Sequence, residues 1–186
     1  MTRPKLLPYT AEPAANELLA SNDVALIVGL VLYQQVPIEK AFIGPYLLAE
    51  RLGGELDAAT IAAYDPEELE GIFKEKPALH RFPGSMAKRV QAVCSSLVEE
   101  YGGEPSGLWS GDEMTAGTIK KRMMALPGFG EYKARVYLGV LAERFGLKPD
   151  GWEAVVPDWP YVGEIYDFAE LDEFKARKKA WKESGS

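Results

Sequence analysis

The turn over residues 126–130, LPGFG, is the segment whose residue types and spacing best suit chemistry. Gly128 and Gly130 allow backbone dihedrals that other residues resist, and they leave the chain without side chains where a helix is predicted to begin. Backbone N–H groups at such a helix start face outward and bind phosphate oxygens, aided by the helix dipole. Lys133 and Arg135 follow in the same helix. The pattern predicts an anion-binding turn with added positive charge.

Positive charge is concentrated in two segments, although the chain as a whole is acidic. The net charge of −7 arises entirely within residues 1–75, which hold 5 basic and 12 acidic side chains. Residues 76–91 contain four basic side chains and no acid, and residues 115–148 contain seven basic side chains and two acids. Clusters of this size are ordinarily solvated helix faces. The glycine turn inside the second segment favours a polyanionic partner instead.

The apolar pattern around these residues predicts helices throughout the chain. Asn22 with Asp23 predicts a helix cap, Asp65 with Pro66 predicts another, and Ser85 predicts a third. Helices are predicted over residues 24–35, 37–52, 115–125, 132–145 and 171–181, from Asp65 onward, and from Ser85 to Gly102. No stretch alternates apolar and polar residues as a half-buried strand does, so the predicted fold class is all-α.

Length and cysteine content bound the class of protein. The chain has 186 residues, 47% of them hydrophobic, which predicts a single domain over residues 1–186. The N-terminal segment 1–22 and a basic C-terminal helix over residues 171–181 are expected to pack on it. A single cysteine, Cys94, excludes an internal disulfide and an iron–sulfur cluster with four thiolate ligands.

No apolar stretch is long enough to cross a bilayer, so we expect a cytoplasmic, monomeric protein with no membrane partner.

Three strings in the chain resemble one known family. Residues 126–134, LPGFGEYKA, resemble the hairpin of the helix-hairpin-helix DNA glycosylases, the HhH-GPD superfamily, whose marks are that hairpin, a Gly/Pro-rich loop and an Asp. Residues 30–37, LVLYQQVP, resemble the Gln-Gln segment near the start of that fold, and residues 82–88 resemble the entry to its middle helix. The likeness spans residues 24–159 in the expected order and is greatest to small bacterial members. It implies a helix-hairpin-helix DNA glycosylase-like fold, double-stranded DNA as the partner, and base-excision DNA repair.

Two aspartates are candidates for the catalytic carboxylate that the resemblance implies. Removal of a base from deoxyribose passes through an oxocarbenium-like state, which a carboxylate near the anomeric carbon stabilises. The superfamily uses an Asp after the second hairpin helix; here Asp150 lies 18 residues after Tyr132, the usual interval, and Asp158 lies 26 residues after it. The Pro-Asp pair after an apolar dipeptide resembles the alkyladenine-type members. We therefore favour Asp158 and keep Asp150 as the alternative, while a helix cap or surface turn is the structural interpretation of either.

The residue at position 132 predicts a monofunctional enzyme. Bifunctional members have a Lys at the position of Tyr132, and its amine attacks the sugar to form a Schiff base. Lys133 is one residue farther on, and a rotation of about 100° along the helix points its side chain elsewhere, toward phosphate. The resemblance thus implies hydrolysis by water without a cofactor, and it allows a monovalent cation at the hairpin carbonyls.

Two groups of residues are predicted to contact DNA, one at the base and one at the backbone. An enzyme that acts on a base extrudes it, stacks it on aromatic groups and reads its edge. The amides of Gln34 and Gln35 suit the reading of a base edge or the wedging of a duplex. The predicted base pocket comprises Tyr33, Gln34, Gln35, Tyr132 and Trp159. The predicted backbone contacts comprise Gly128, Phe129, Gly130, Lys133, Arg135, Lys88 and Arg81. His80, in the acid-free segment, is predicted to face solvent or phosphate.

Two other classes of protein remain open. One is a catalytically silent helix-hairpin-helix protein, which would bind duplex DNA in a salt-sensitive way and release no base. The other is a helical interaction protein whose acidic N-terminal half is the working surface and which would not bind DNA. The net charge of −7 favours the interaction protein, whereas the ordered strings favour the glycosylase.

Overall fold

Polar caps, prolines and glycines set the ends of the helices in this chain. The computed structural model describes residues 1–112 and 114–185. Its α-helices are α1 (Pro13–Ser21), α2 (Asp23–Leu32), α3 (Ile38–Arg51), α4 (Ala58–Ala63), α5 (Pro66–Lys74), α6 (Pro83–Tyr101), α7 (Ala116–Ala125), α8 (Glu131–Phe145), α9 (Trp152–Val155) and α10 (Leu171–Glu183). Short 3₁₀ helices occupy Pro105–Leu108, Val162–Glu164 and Phe168–Glu170. The part of the chain so described contains no strand, which confirms the predicted all-α class.

Most predicted helix ends are confirmed. The side chain of Asp65 accepts hydrogen bonds from two backbone N–H groups in the first turn of α5, and the side chain of Thr115 accepts one from the Thr118 N–H in α7. Gly102 and Gly146 end α6 and α8 in the left-handed conformation, with φ of 63° and 68°. Local chemistry therefore determines where these helices start and stop.

Two predicted helix ends are wrong. The helix predicted to reach Gln35 ends at Leu32. The next residue, Tyr33, has a ψ of 66°, outside the helical region, and Gln35 has a left-handed φ of 57°. Ser85 does not cap α6, because that helix already begins at Pro83, whose fixed φ suits the first helical position. The sequence also does not predict α1, α4 and α9, whose 9, 6 and 4 residues are too few for an apolar period to stand out.

Helix α2 lies at the centre of the hydrophobic core. All its residues from Val24 to Leu32 are buried, and it packs against α1, α3, α6 and α8. Leu7 of the N-terminal segment and Phe174 of α10 are buried in the same core. The C-terminal end of α2 meets the N-terminal end of α8, where Nζ of Lys133 donates a hydrogen bond to the Val31 carbonyl at 3.2 Å. This junction brings the two strings that could do chemistry to one place.

Candidate functional site

A large cavity lies between the end of α2, the start of α8 and one face of α10. Its volume is about 1060 Å³, at the upper end of the range of ligand pockets, which is roughly 300–1,000 Å³. Residues 33–38 supply part of its lining, and residues of the hairpin turn and the first turn of α8 supply another part. The cavity therefore joins the Gln-Gln segment to the glycine turn, two strings that are far apart in the sequence.

The hairpin turn is tight toward α6 and open at the start of α8. Gly128 has a φ of 73°, and a Cβ atom there would lie 3.0 Å from Cδ of Arg89. Phe129 is buried, and its N–H donates to the Leu126 carbonyl at 3.0 Å. No side chain of the described residues caps α8, and a Cβ at Gly130 would meet nothing within 4 Å. The first N–H groups of α8 are thus open to an anion.

The Gln34–Gln35 segment is held by a buried histidine. Nδ1 of His80 accepts a hydrogen bond from the Phe82 N–H at 3.1 Å. Nε2 therefore has the proton of the neutral ring and donates to the Gln34 carbonyl at 2.9 Å. Burial lowers the pKa of His80, which keeps the ring neutral. The interpretation of His80 as a residue that faces solvent or phosphate is wrong, because it is only 2% exposed and positions Gln34.

An aromatic stack supports one wall of the cavity. The rings of Tyr132 and Trp159 lie 5.5 Å apart with an interplanar angle of 11°. Trp181 of α10 packs on Trp159 at 5.9 Å. Tyr132 lines the cavity, as do Tyr33, Gln34 and Gln35, whereas Trp159 stands behind that wall. Four of the five residues predicted for the base pocket therefore face the same space.

Arg135 organises the loop that contains Asp158. Its Nε donates to the Val155 carbonyl at 2.9 Å, and its Nη2 donates to the Val156 carbonyl at 2.9 Å. The same Nη2 contacts Oδ1 of Asp158 at 3.1 Å, and the guanidinium lies 4.2 Å from the ring centre of Trp159. Nε and Nη2 of Arg135 thus have acceptors within the protein, in a geometry that differs from the predicted phosphate contact.

The two candidate aspartates lie in different places. The side chain of Asp158 is 84% exposed and lies next to the stacked Trp159. Asp150 is exposed as well, and its carbonyl accepts a hydrogen bond from the Ala116 N–H at the start of α7. Because α7 has ten residues and rises by about 1.5 Å per residue, Asp150 lies on the order of 15 Å from the turn at its other end. Neither side chain lines the cavity, and Asp158 is the one beside its aromatic wall.

The remaining predicted contacts separate into cavity and surface residues. Lys133 lines the cavity, with Nζ also 5.7 Å from the Phe129 ring centre. Arg81 and Lys88 are exposed near the start of α6, outside the cavity, and Arg81 lies 4.8 Å from the Phe82 ring centre. Arg89, next to Lys88, lines the cavity instead. Sequence reasoning missed Arg89 because a contiguous pair of basic residues does not show which side chain faces inward.

Helix α10 supplies site residues that sequence reasoning did not connect with the hairpin. Four lysines of this helix line the cavity: Lys175, Lys178, Lys179 and Lys182. The only sequence feature that indicates a role for this helix in the site is its basic character. Its place against Tyr33 and Tyr132 is a long-range packing result, which no local pattern specifies.

Solved structures to which this chain is similar include an endonuclease III–DNA intermediate and a thymine-DNA glycosylase. A trapped endonuclease III–DNA covalent intermediate is 24% identical, with a TM-score of 0.47 over 66% of this chain and 47% of the other. A thermostable thymine-DNA glycosylase is 13% identical, with a TM-score of 0.41 over 85% of this chain and 72% of the other. The chain thus spans about half the length of the endonuclease III structure. No family model and no curated protein matches the sequence.

Among the described residues, no three His, Cys, Asp or Glu side chains converge in a way that could hold a metal ion. No single helix there has the length and apolarity to span a membrane, and α1 and α2, bent by 113°, pass that test only as a pair. The hairpin carbonyls offer neutral oxygens of the kind that hard cations accept, so the monovalent cation stays a prediction.

Proposed function

We propose that this protein is a DNA glycosylase of base-excision repair, which binds duplex DNA through its hairpin and hydrolyses the N-glycosidic bond of a damaged or mismatched base. The observation that supports the proposal is the shared cavity: Gly128 and Gly130 of the turn line the same space as Tyr33, Gln34 and Tyr132. A DNA strand bound to the open N–H groups of α8 would therefore lie at the mouth of a pocket lined by aromatic rings and amides.

The pocket suits an extruded nucleotide. The aromatic faces of Tyr33 and Tyr132 offer stacking surfaces, and the exposed side chain of Gln35 offers donors and an acceptor for a base edge. Gln35 also has a left-handed backbone, with a φ of 57°. Such strain in a residue other than glycine is found most often at functional sites, where the surrounding structure maintains it.

Asp158 is the carboxylate that we assign to the chemical step. In that step the bond between C1′ and the base nitrogen breaks, water adds to C1′, and the water's proton goes to the departing base. A carboxylate beside C1′ stabilises the positive charge that develops on the sugar and orients the water. Asp158 is exposed, and Arg135 holds it beside the Tyr132–Trp159 stack, whereas Asp150 is at the far end of α7. The mechanism is monofunctional and uses no cofactor.

A base-release assay with two matched variants tests this proposal. Duplex oligonucleotides with alkylated, deaminated, oxidised or mismatched bases are incubated with the protein, and abasic sites are scored by alkali cleavage. Asp158→Asn is expected to lower release by about 100-fold or more, the usual range for loss of a catalytic acid–base group. Asp150→Asn changes the same atoms at another exposed site and is expected to leave release unchanged. If Asp158→Asn released the base as fast as Asp150→Asn and the parent protein, Asp158 would be excluded from the chemistry.

A catalytically silent DNA-binding protein is the second candidate function. The observation that favours it is the lining of the cavity, which includes no carboxylate within the described part of the chain. Such a protein would bind duplex DNA with an affinity that falls as salt rises, and it would release no base from any substrate in the panel. The same assay, run beside a salt titration of duplex binding, separates the two candidates.

A further inference from the structure

The cavity contains more positive charge than the surrounding protein neutralises. Two of its six basic side chains have carboxylate partners: Lys175 pairs with Glu39 at 2.5 Å, and Lys179 approaches Glu183 at 3.8 Å. The other basic residues of the lining are Arg89, Lys133, Lys178 and Lys182. None of these four has a carboxylate within ion-pair distance among the described residues.

Lys178 and Lys133 place their amines in the cavity against neutral partners. Nζ of Lys178 donates to the hydroxyl of Tyr33 at 2.6 Å, and it lies 4.7 Å from the Tyr33 ring centre and 6.0 Å from that of Tyr132. Nζ of Lys133 donates to the Val31 carbonyl. Burial lowers the pKa of each amine to about 8, with smaller effects from the neighbouring charges of Lys182 and Arg89. The protein alone thus stabilises these two cations poorly.

Arg89 completes a group of three cations from three helices. Its Nη1 donates to Oε1 of Gln34, an uncharged amide, and its stem packs beneath Gly128. α6, α8 and α10 each contribute one of the three. Half-buried cations without a counter-ion are unfavourable, so proteins retain them where a ligand supplies the missing negative charge. The cavity is therefore built for an anion.

We propose that this cavity binds the terminal phosphate of a nucleotide, with the phosphomonoester between Lys133, Lys178 and Arg89 and the base against Tyr33 and Tyr132. The nucleotide part of this inference rests on the proposed function, while the anion site rests on the cations themselves. A phosphomonoester has about −1.5 to −2 charges at pH 7, which matches three cations better than the single charge of a phosphodiester. The ligand is either a free mononucleotide or the phosphorylated end of a DNA strand.

Binding measurements on the full chain distinguish these sources. Fluorescence-labelled single-stranded oligonucleotides with a 5′-phosphate, a 3′-phosphate or no terminal phosphate are titrated, and unlabelled deoxynucleoside monophosphate or inorganic phosphate serves as competitor. We expect a terminal phosphate to tighten binding at least about tenfold, as two new charge-assisted contacts would. Competition by the mononucleotide at similar concentrations identifies a free nucleotide as ligand; competition by oligonucleotide ends alone identifies a strand end.

Matched variants test which lysine is responsible. Lys178→Met and Lys133→Met remove one cavity cation each, whereas Lys121→Met removes an exposed cation of α7 outside the cavity. The cavity variants are expected to lose most of the preference for phosphorylated ends, and Lys121→Met is expected to keep it. Thermal melting confirms that each variant folds. Equal binding of phosphorylated and unphosphorylated probes, or equal losses in Lys178→Met and Lys121→Met, would overturn the inference.

The outcome is separable from that of the base-release assay. The binding probes contain no damaged base, so a phosphate preference without base release would support the anion site and contradict the glycosylase. Base release that requires Asp158, without a phosphate preference, would support the glycosylase and contradict the phosphate site.

Discussion

Lys133 and Arg135, two residues apart in α8, show how differently one helix uses two cations. Arg135 donates to the Val155 and Val156 carbonyls and to Asp158, and its guanidinium covers Trp159. Lys133 has the Val31 carbonyl as its hydrogen-bond acceptor and faces the cavity. The charge of Arg135 therefore holds a loop together, and the charge of Lys133 is available to a ligand.

This difference teaches that the partners of a basic residue determine its role more than its place in a motif does. Both residues follow the glycine turn, and the sequence predicts phosphate contacts for both. A rotation of about 200° along the helix separates their side chains, so they face different neighbours. Two predictions test whether stability and ligand binding divide between them in this way, and a third concerns the glycine turn that precedes both.

The largest expected effect is on stability, at Arg135. Arg135→Met leaves two carbonyls without their donor and removes the contact over Trp159, which is expected to lower the free energy of unfolding by about 2–3 kcal/mol. The melting temperature would fall by roughly 4–12 °C. Lys133→Met removes a poorly stabilised cation and is expected to change the free energy of unfolding by less than about 1 kcal/mol. Equal losses in the two variants, measured by urea unfolding, would contradict the proposed division of roles.

The next effect is a pH dependence of phosphate binding in the cavity. Because burial lowers the pKa of Lys178 and Lys133 to about 8, their charge is present at pH 7 and is lost as the pH rises through 8. Each amine loses about nine-tenths of its charge by pH 9, so affinity for a phosphorylated probe is expected to fall about tenfold or more between pH 7 and 9.

The groups that face these amines set the control for that profile. Arg89 and Lys182 are the other cations of the cavity without a carboxylate partner, and burial raises the pKa of Tyr33 and Tyr132, so these phenols stay neutral. Lys175 is paired with Glu39, and its pKa is raised. A double variant, Lys133→Met with Lys178→Met, is expected to show a flat profile. If the affinity of that variant fell with pH as steeply as the affinity of the parent does, other groups would be responsible for the pH dependence.

The smallest effect distinguishes the two glycines of the turn. Gly128 has a φ of 73°, and a Cβ there would press on Arg89, so Gly128→Ala is expected to destabilise the protein by about 1 kcal/mol or more. Gly130 has a φ of −81° and open space around it, so Gly130→Ala is expected to remain within about 0.5 kcal/mol of the parent. Chemical unfolding curves of the two variants test this, and equal destabilisation would show that the turn constrains both positions alike.

Local features of the fold were predictable from the sequence to different degrees. Asp65, Thr115, Gly102 and Gly146 mark helix ends through their own side chains or their lack of one, and the structure confirms these ends. The end of α2 was not predictable, because Tyr33 leaves the helical region with a ψ of 66° and the Gln34 carbonyl is bound by His80 from a distant segment. Of the residues predicted for the base pocket, the structure brings Tyr33, Gln34, Gln35 and Tyr132 to one cavity.

The sequence by itself determined the helical class, most helix ends and the glycine turn, because caps, prolines and apolar periods act within a few residues. Only the tertiary structure decided which cations are neutralised. It placed Arg135 against Asp158, His80 beneath Gln34, and Lys178 between two tyrosine rings. The physical reason is that the free energy of a charge depends on the atoms around it, and in a folded chain those atoms come from distant segments.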